Sequence, residues 1–324
     1  MLGGDTTQFL VVAMIAQHID PDMLTKMCQF TSTYYRQPYP ALEEVQQTGA
    51  GKYVLVTEAS EEIGRAIASS WAKAGAAGIA ISSRNEDDLE PFIVRLKRLN
   101  PTTQVLAMAC DTTKSAEVAR LFDAIREQFG QLDVVIANVG TAHLSRIDET
   151  DDNDEWWADM TTNFRSTHLP AHQYIRTFGP APTGTFISIT SGAGTVVTPG
   201  LSSYGIAKQT DRRLIEFLNV EYPDMKAFSL DPGIVRTERT SDMFRPFAFD
   251  SPELVGMFSV WLGGGRADKL KGSYVHTTWD IEELEREADD IVGRGTLKDK
   301  FPGGLLVQEG VTWGTHIPGP ERHV

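Results

Sequence analysis

KYVLVTEASEEIGRAIASSWAKAGAAGIAIS, residues 52–82, is the stretch that decides how this chain folds. Residues 53–57 are a short β-branched run, 63–74 carry apolar residues at helical spacing, and 78–82 are a second apolar run. Strand, helix and strand in immediate succession make a βαβ unit. The rhythm persists downstream, with a charged amphipathic helix over about 86–99, a strand over 104–109 and a helix over 115–129. A strand over 132–137, a long helical stretch over about 155–177, a strand over 184–189, a helix over 202–219 and a strand over 225–230 follow. Apolar strands alternating with amphipathic helices predict a parallel sheet covered on both faces. Right-handed crossovers leave few topologies, and the doubly wound sheet is the commonest.

The expected fold class is therefore α/β, a doubly wound parallel sheet of Rossmann type in three αβα layers. One domain is expected over 51–278, with an N-terminal extension over 1–50 and a C-terminal tail over 279–324. Pro38, Pro40, Gly49 and Gly51 punctuate the chain just before the pattern begins. The composition, 41% hydrophobic and 23% charged over 324 residues, is that of a globular chain able to bury a large core. A formal net charge of −14 argues against nucleic acid as partner, because the long-range field repels a polyanion. The apolar run over 9–16 is too short to span a bilayer and follows no basic residue, so neither a membrane segment nor a signal peptide is expected. Cys28 and Cys110 are read as reduced thiols, and the default location is the cytoplasm. No His/Cys cluster has ligand spacing, so no metal is expected.

In a doubly wound sheet the ligand sits beyond the carboxyl ends of the strands. Thr57, Arg84, Asp111, Asn138, Ser191 and Asp231 fall at or just past such ends. Tyr204 and Lys208 are four apart and share a helix face. A phenol is a poor acid–base catalyst at neutral pH, and a fixed ammonium beside it favours the phenolate. Ser191, at a strand end thirteen residues before Tyr204, is placed to hold a carbonyl oxygen that the phenol protonates. Asn163, in the preceding helix, is a candidate to order water behind the lysine and complete a proton relay.

Taken together, Ser191, the Tyr204-x-x-x-Lys208 motif and Asn163 resemble the catalytic set of the short-chain dehydrogenase/reductase family, over roughly residues 35–290. That resemblance implies further roles. Asn138 and Gly140 correspond to the stretch that supports the sheet and the adenosine side, and Asp111 to the acid that meets the adenine. Thr57, Ser60, Ile63 and Gly64 belong to the cofactor turn. Pro232, Gly233, Val235 and Thr237 hold the nicotinamide carboxamide, and Tyr204 and Lys208 also touch the cofactor. Arg84 resembles the basic residue that pairs the 2′-phosphate of NADP(H), so NADP is the expected cofactor. The segments 34–40 and 279–284 resemble a branch common among fungal secondary-metabolism reductases. The family also implies a homo-oligomer, a dimer or tetramer, through the helices over 115–129 and 155–177.

The glycine-rich turn departs from the family pattern. Two of its three glycines are Glu58 and Glu62, and Glu61 lies between them. Glycine there permits a tight turn and close approach to the diphosphate. A carboxylate about 5 Å from a phosphate costs on the order of 3 kcal/mol at an effective dielectric near 20. Two functions therefore stay open at this point. One is an NADP(H)-dependent carbonyl–alcohol oxidoreductase acting on a hydrophobic small molecule, with a Phe- and Met-rich lid over about 236–264. The other is a non-redox acid–base enzyme on the same fold, with cofactor binding weak or lost. A silent binding protein is a third possibility, against which the complete tetrad speaks. Trp156 and Trp157 are read as packing residues; residues 142–150 are expected to line the substrate pocket, with His143 either touching substrate or standing as a loop histidine at the surface.

Overall fold

The computed structural model describes residues 20–149, 154–179 and 182–299; the apolar run over 9–16 lies outside them. Among the described residues seven strands form one sheet: β1 (Tyr53–Val56), β2 (Gly78–Ser83), β3 (Gln104–Ala109), β4 (Val134–Ala137), β5 (Thr185–Ile189), β6 (Lys226–Asp231) and β7 (Tyr274–His276). Their order is β3-β2-β1-β4-β5-β6-β7, and every neighbouring pair is parallel. The winding reverses between β1 and β4, which opens a crevice at their carboxyl ends.

The principal helices are α1 (Met23–Met27), α2 (Pro40–Glu44), α3 (Glu62–Lys73), α4 (Glu90–Leu99), α5 (Ser115–Phe129) and α6 (Asp154–Met160). They continue with α7 (Ser166–Phe178), α8 (Ser202–Glu221), α9 (Pro252–Gly263), α10 (Ile281–Arg286) and α11 (Ala288–Arg294). Alternate strand residues enter two separate cores. Val54, Val56, Ile79, Ile81 and Ile136 meet α3, α4 and α9 on one face. Leu55, Ala80, Val135 and Phe186 meet α5, α7 and α8 on the other. Each fully buried large apolar side chain contributes about 1.5–3 kcal/mol, which is why the strands read as continuous apolar runs.

The pairing of α9 with α3 is close. Trp71 Nε1 donates to Ser259 Oγ at 3.0 Å, and a Cβ on Gly256 would lie 2.6 Å from the Ala66 carbonyl oxygen. Phe258 and Trp261 are fully buried there. They belong to the core, so the part of the expected lid that reaches the crevice is narrower than 236–264.

The long helix expected over 155–177 is interrupted by a π-helical turn at Thr161–Arg165. Asn163 Nδ2 donates to the Asp159 carbonyl at 2.9 Å, competing with the regular backbone ladder. Trp156 packs, donating from Nε1 to Ser202 Oγ at 2.9 Å, whereas Trp157 is 56% exposed. Adjacent residues on a helix point about 100° apart, so both tryptophans cannot face the same neighbour.

The described parts of both extensions are bound into the domain. Tyr34 bridges Trp279, Tyr39 Oη donates to the Trp279 carbonyl at 3.0 Å, and Ile281 N donates back to Tyr39 Oη at 3.0 Å. Segments 34–40 and 279–284 thus pack on each other. Leu42, Val45, Ile281 and Leu284 share the core of α9. Arg36 pairs with buried Asp250 at 2.6 Å and with Asp22 at 2.7 Å, pinning the strap that carries α1.

Candidate active site

A cleft of about 570 Å³ lies at the carboxyl ends of β1, β4, β5 and β6. Ser191, Tyr204 and Lys208 line it together, as do Ile63, Gly64, Asn138 and Gly140. Pro232, Gly233, Val235 and Thr237 line its far wall. Ser191 follows β5 and caps the short turn Gly192–Gly194, its Oγ accepting the Ala193 N–H at 3.2 Å. Its own proton is left for another acceptor. Tyr204 stands in the first turn of α8, and its hydroxyl has no hydrogen-bond partner among the described residues.

Lys208 is buried one helical turn further, with Nζ 5.8 Å from the Tyr204 ring centroid. Its ammonium donates to the carbonyls of Ile189 at 2.9 Å and Val139 at 3.2 Å, and lies 3.4 Å from Asp211 Oδ2. Burial pushes the Asp211 carboxyl up to about 6, with Lys208 acting in the opposite sense. Asn163 is fully buried and does not line the cleft wall. It is tied to Thr141, donating to the carbonyl at 2.7 Å and accepting the N–H at 3.1 Å.

Asp159, which the sequence reading did not single out, organises this end. It is buried, accepts the His143 N–H at 3.0 Å and Ser203 Oγ at 3.0 Å, and stands 2.7 Å from His143 Nδ1. The loop after β4 is thereby fixed to the start of α8. His143 is exposed, as a loop histidine would be, and also lines the cleft, with Asp159 as its carboxylate partner.

At the other end, Thr57 is buried and stitches β1 to β4: its Oγ1 accepts the Asn138 N–H at 2.9 Å. Asn138 Nδ2 in turn donates to the carbonyls of Thr57 at 3.2 Å and Glu58 at 3.1 Å. Glu58 has φ +49°, the only described non-glycine residue with positive φ, a conformation that favours glycine. Burial pushes its carboxyl above the usual carboxylate range, while the Arg84 and Arg239 charges pull the other way. Gly64 has no room for a side chain, since a Cβ would lie 2.3 Å from the Glu58 carbonyl oxygen. Glu61 is the N-cap of α3 yet makes no capping hydrogen bond; it pairs with Arg239 instead.

Thr57, Ser60, Arg84 and Asp111 are not brought to the cleft wall. Asp111 accepts the Thr113 N–H at 3.0 Å and pairs with Lys114 at 3.2 Å. Arg84, just past β2, is exposed and has no hydrogen bond or ion pair among the described residues. The substrate end holds Phe244 of the expected lid together with residues that lay outside the expected site. Leu24, Met27 and Cys28 come from the strap, and Phe244 and Val196 from loops. Asp231 accepts the Tyr274 hydroxyl at 2.7 Å, with His276 Nε2 3.6 Å away. Burial, then Asp231, pushes the Cys28 thiol up to about 11, so it is no ready nucleophile. Both cysteines are free, and among the described residues no group of three His, Cys, Asp or Glu side chains is placed to hold a metal.

Residues 52–246 match the family described as short chain dehydrogenase. Short chain dehydrogenase mpl6 of Monascus purpureus is 30% identical over 279 residues, spanning 83% of this chain and 95% of its own. This chain belongs to the short-chain dehydrogenase/reductase family. Another relative in the family, short chain dehydrogenase pigC of Monascus ruber, is 29% identical over 285 residues, 84% of this chain and 93% of its own. The crystal structure of a short-chain type dehydrogenase/reductase from Mycobacterium marinum shares the fold. Its TM-score is 0.66 at 22% identity, covering 72% of this chain and 96% of that one. The protein is thus an oxidoreductase of this family, and no helix among the described residues is long and apolar enough to cross a membrane.

The site fits the nicotinamide dinucleotide that this family takes. The N–H groups of Glu62, Ile63 and Gly64 have no partner among the described residues, and all three residues line the cleft. The contact at Gly64 brings that helix terminus close to the β1 turn, the place where a doubly wound sheet receives a diphosphate. The three carboxylates are the departure, and arginines stand beside two of them.

Proposed function

We propose that the protein is an NADP(H)-dependent oxidoreductase that interconverts a carbonyl and an alcohol on a hydrophobic small molecule, in secondary metabolism. The observation that carries this reading is the convergence of Ser191, Tyr204 and Lys208 in one cleft, with the ammonium 5.8 Å from the phenol ring. Bound reduced nicotinamide supplies the hydride. Tyr204 gives its proton to the carbonyl oxygen and takes it back in the reverse direction. Ser191 donates its O–H to the same oxygen, which can only accept, while its own oxygen accepts the Ala193 N–H. Lys208 stabilises the phenolate left behind, and Asn163 fixes the loop at Thr141 that backs the lysine. Arg84, exposed and unpaired among the described residues at the end of β2, is the candidate partner of the 2′-phosphate. The apolar side chains of Leu24, Met27, Val196 and Phe244 support a hydrophobic substrate. Family membership supports a homo-oligomer by analogy.

Turnover of NADPH with a panel of apolar ketones tests this. Tyr204→Phe is expected to lose about 10²–10⁴-fold in rate with the fold intact, and an unchanged rate contradicts the role. A second reading, acid–base chemistry without redox, is favoured by Glu58, Glu61 and Glu62 standing where a diphosphate would lie. It predicts turnover that is independent of NADPH.

A further inference from the structure

Arg239 lies two residues beyond Thr237, on the loop that follows β6, and reaches across the cleft. Its Nη2 donates to Glu61 Oε1, and its Nη1 lies 3.4 Å from the Gly140 carbonyl. One side chain therefore ties the loop after β6 to the turn after β1 and to the end of β4. Glu61 gives Arg239 the carboxylate that would otherwise cap α3, and the N–H groups of Glu62, Ile63 and Gly64 have no partner among the described residues. A guanidinium carries five N–H donors in a planar fork that suits carboxylate and phosphate alike. Two donors are in use, so three remain at the edge of the anion seat. Both side chains are partly exposed, 45% for Arg239 and 40% for Glu61, so the pair is solvent-screened and free to readjust.

We propose that Arg239 binds the diphosphate of the dinucleotide, holding Glu61 with one part of its fork and phosphate oxygens with another. It restores the positive potential that the turn loses through Glu58, Glu61 and Glu62. This rests on the reading that the cleft takes a dinucleotide.

Equilibrium titration of the full chain with NADPH, followed by nicotinamide fluorescence, tests it without turnover. Arg239→Gln is expected to weaken binding about tenfold or more, and Arg239→Lys to recover part of that loss. Glu61→Gln is expected to tighten binding a few-fold, on the order of one screened like-charge contact. The double variant Glu61→Gln/Arg239→Gln should bind better than Arg239→Gln alone, because the uncompensated carboxylate is gone. Wild-type binding matched by Arg239→Gln overturns the proposal while leaving the cofactor reading intact. No wild-type binding at millimolar NADPH overturns both. Unchanged thermal melting across the set assigns the affinity changes to the site.

Discussion

The two ends of the cleft treat their carboxylates in opposite ways. At the catalytic end, Asp159 is buried and accepts hydrogen bonds from His143 and Ser203, and Asp211 is buried 3.4 Å from the Lys208 ammonium. Charge there is fixed inside the fold and sets the position of α8. At the turn after β1, Glu58 sits at positive φ and the Glu61 carboxylate is tied to a partly exposed arginine. The first arrangement uses acids as structural anchors. The second places one of them, Glu58, in backbone that favours glycine, and leaves the other at the rim of the cleft.

Removing one acid from each end should therefore change stability in opposite directions. Asp159→Ala strips partners from the His143 N–H and the buried Ser203 hydroxyl, and is expected to destabilise the fold by about 2–3 kcal/mol in chemical denaturation. An unchanged midpoint would make that end no more anchored than the other. Glu58→Gly relieves the left-handed backbone and is expected to stabilise by up to about 1 kcal/mol, less the entropy that glycine adds to the unfolded chain. This gain should depend on pH. Burial raises the Glu58 carboxyl above its ordinary 4.5, so the folded protein favours the protonated form. Wild-type stability linked to this group is present below about pH 4.5 and is lost as pH rises through the shifted value. The advantage of the glycine variant should grow over that same interval. A pH-independent difference would assign the whole effect to backbone strain.

Much of this was legible in the sequence, because parallel strands buried on both faces leave continuous apolar runs. The strand over 104–109 and the helix over 115–129 appear with those bounds. β4 starts at Val134 rather than at 132, and just before it the Asp133 carboxylate accepts the Tyr53 N–H at 2.8 Å, an end effect that hydrophobicity does not register. β7 escaped notice since its three residues, Tyr274, Val275 and His276, are too short to set a period. The Ser–Tyr–Lys set was readable from spacing, as local helix geometry joins Tyr204 to Lys208. Asp159, Arg239 and the strap residues Leu24 and Met27 were not, because their partners are remote in sequence. Glu61 and Arg239 are 178 positions apart, and no local pattern marks such a pair. The damaged glycine turn was visible at once, while the arginine that answers it emerges only from the fold.

The most direct test of the whole account is whether the unaltered protein binds NADPH. A titration watching energy transfer from tryptophan to the reduced nicotinamide should saturate, with competition by NADP⁺. A flat response up to millimolar nucleotide would contradict the redox assignment and leave the trio of Ser191, Tyr204 and Lys208 to acid–base chemistry alone.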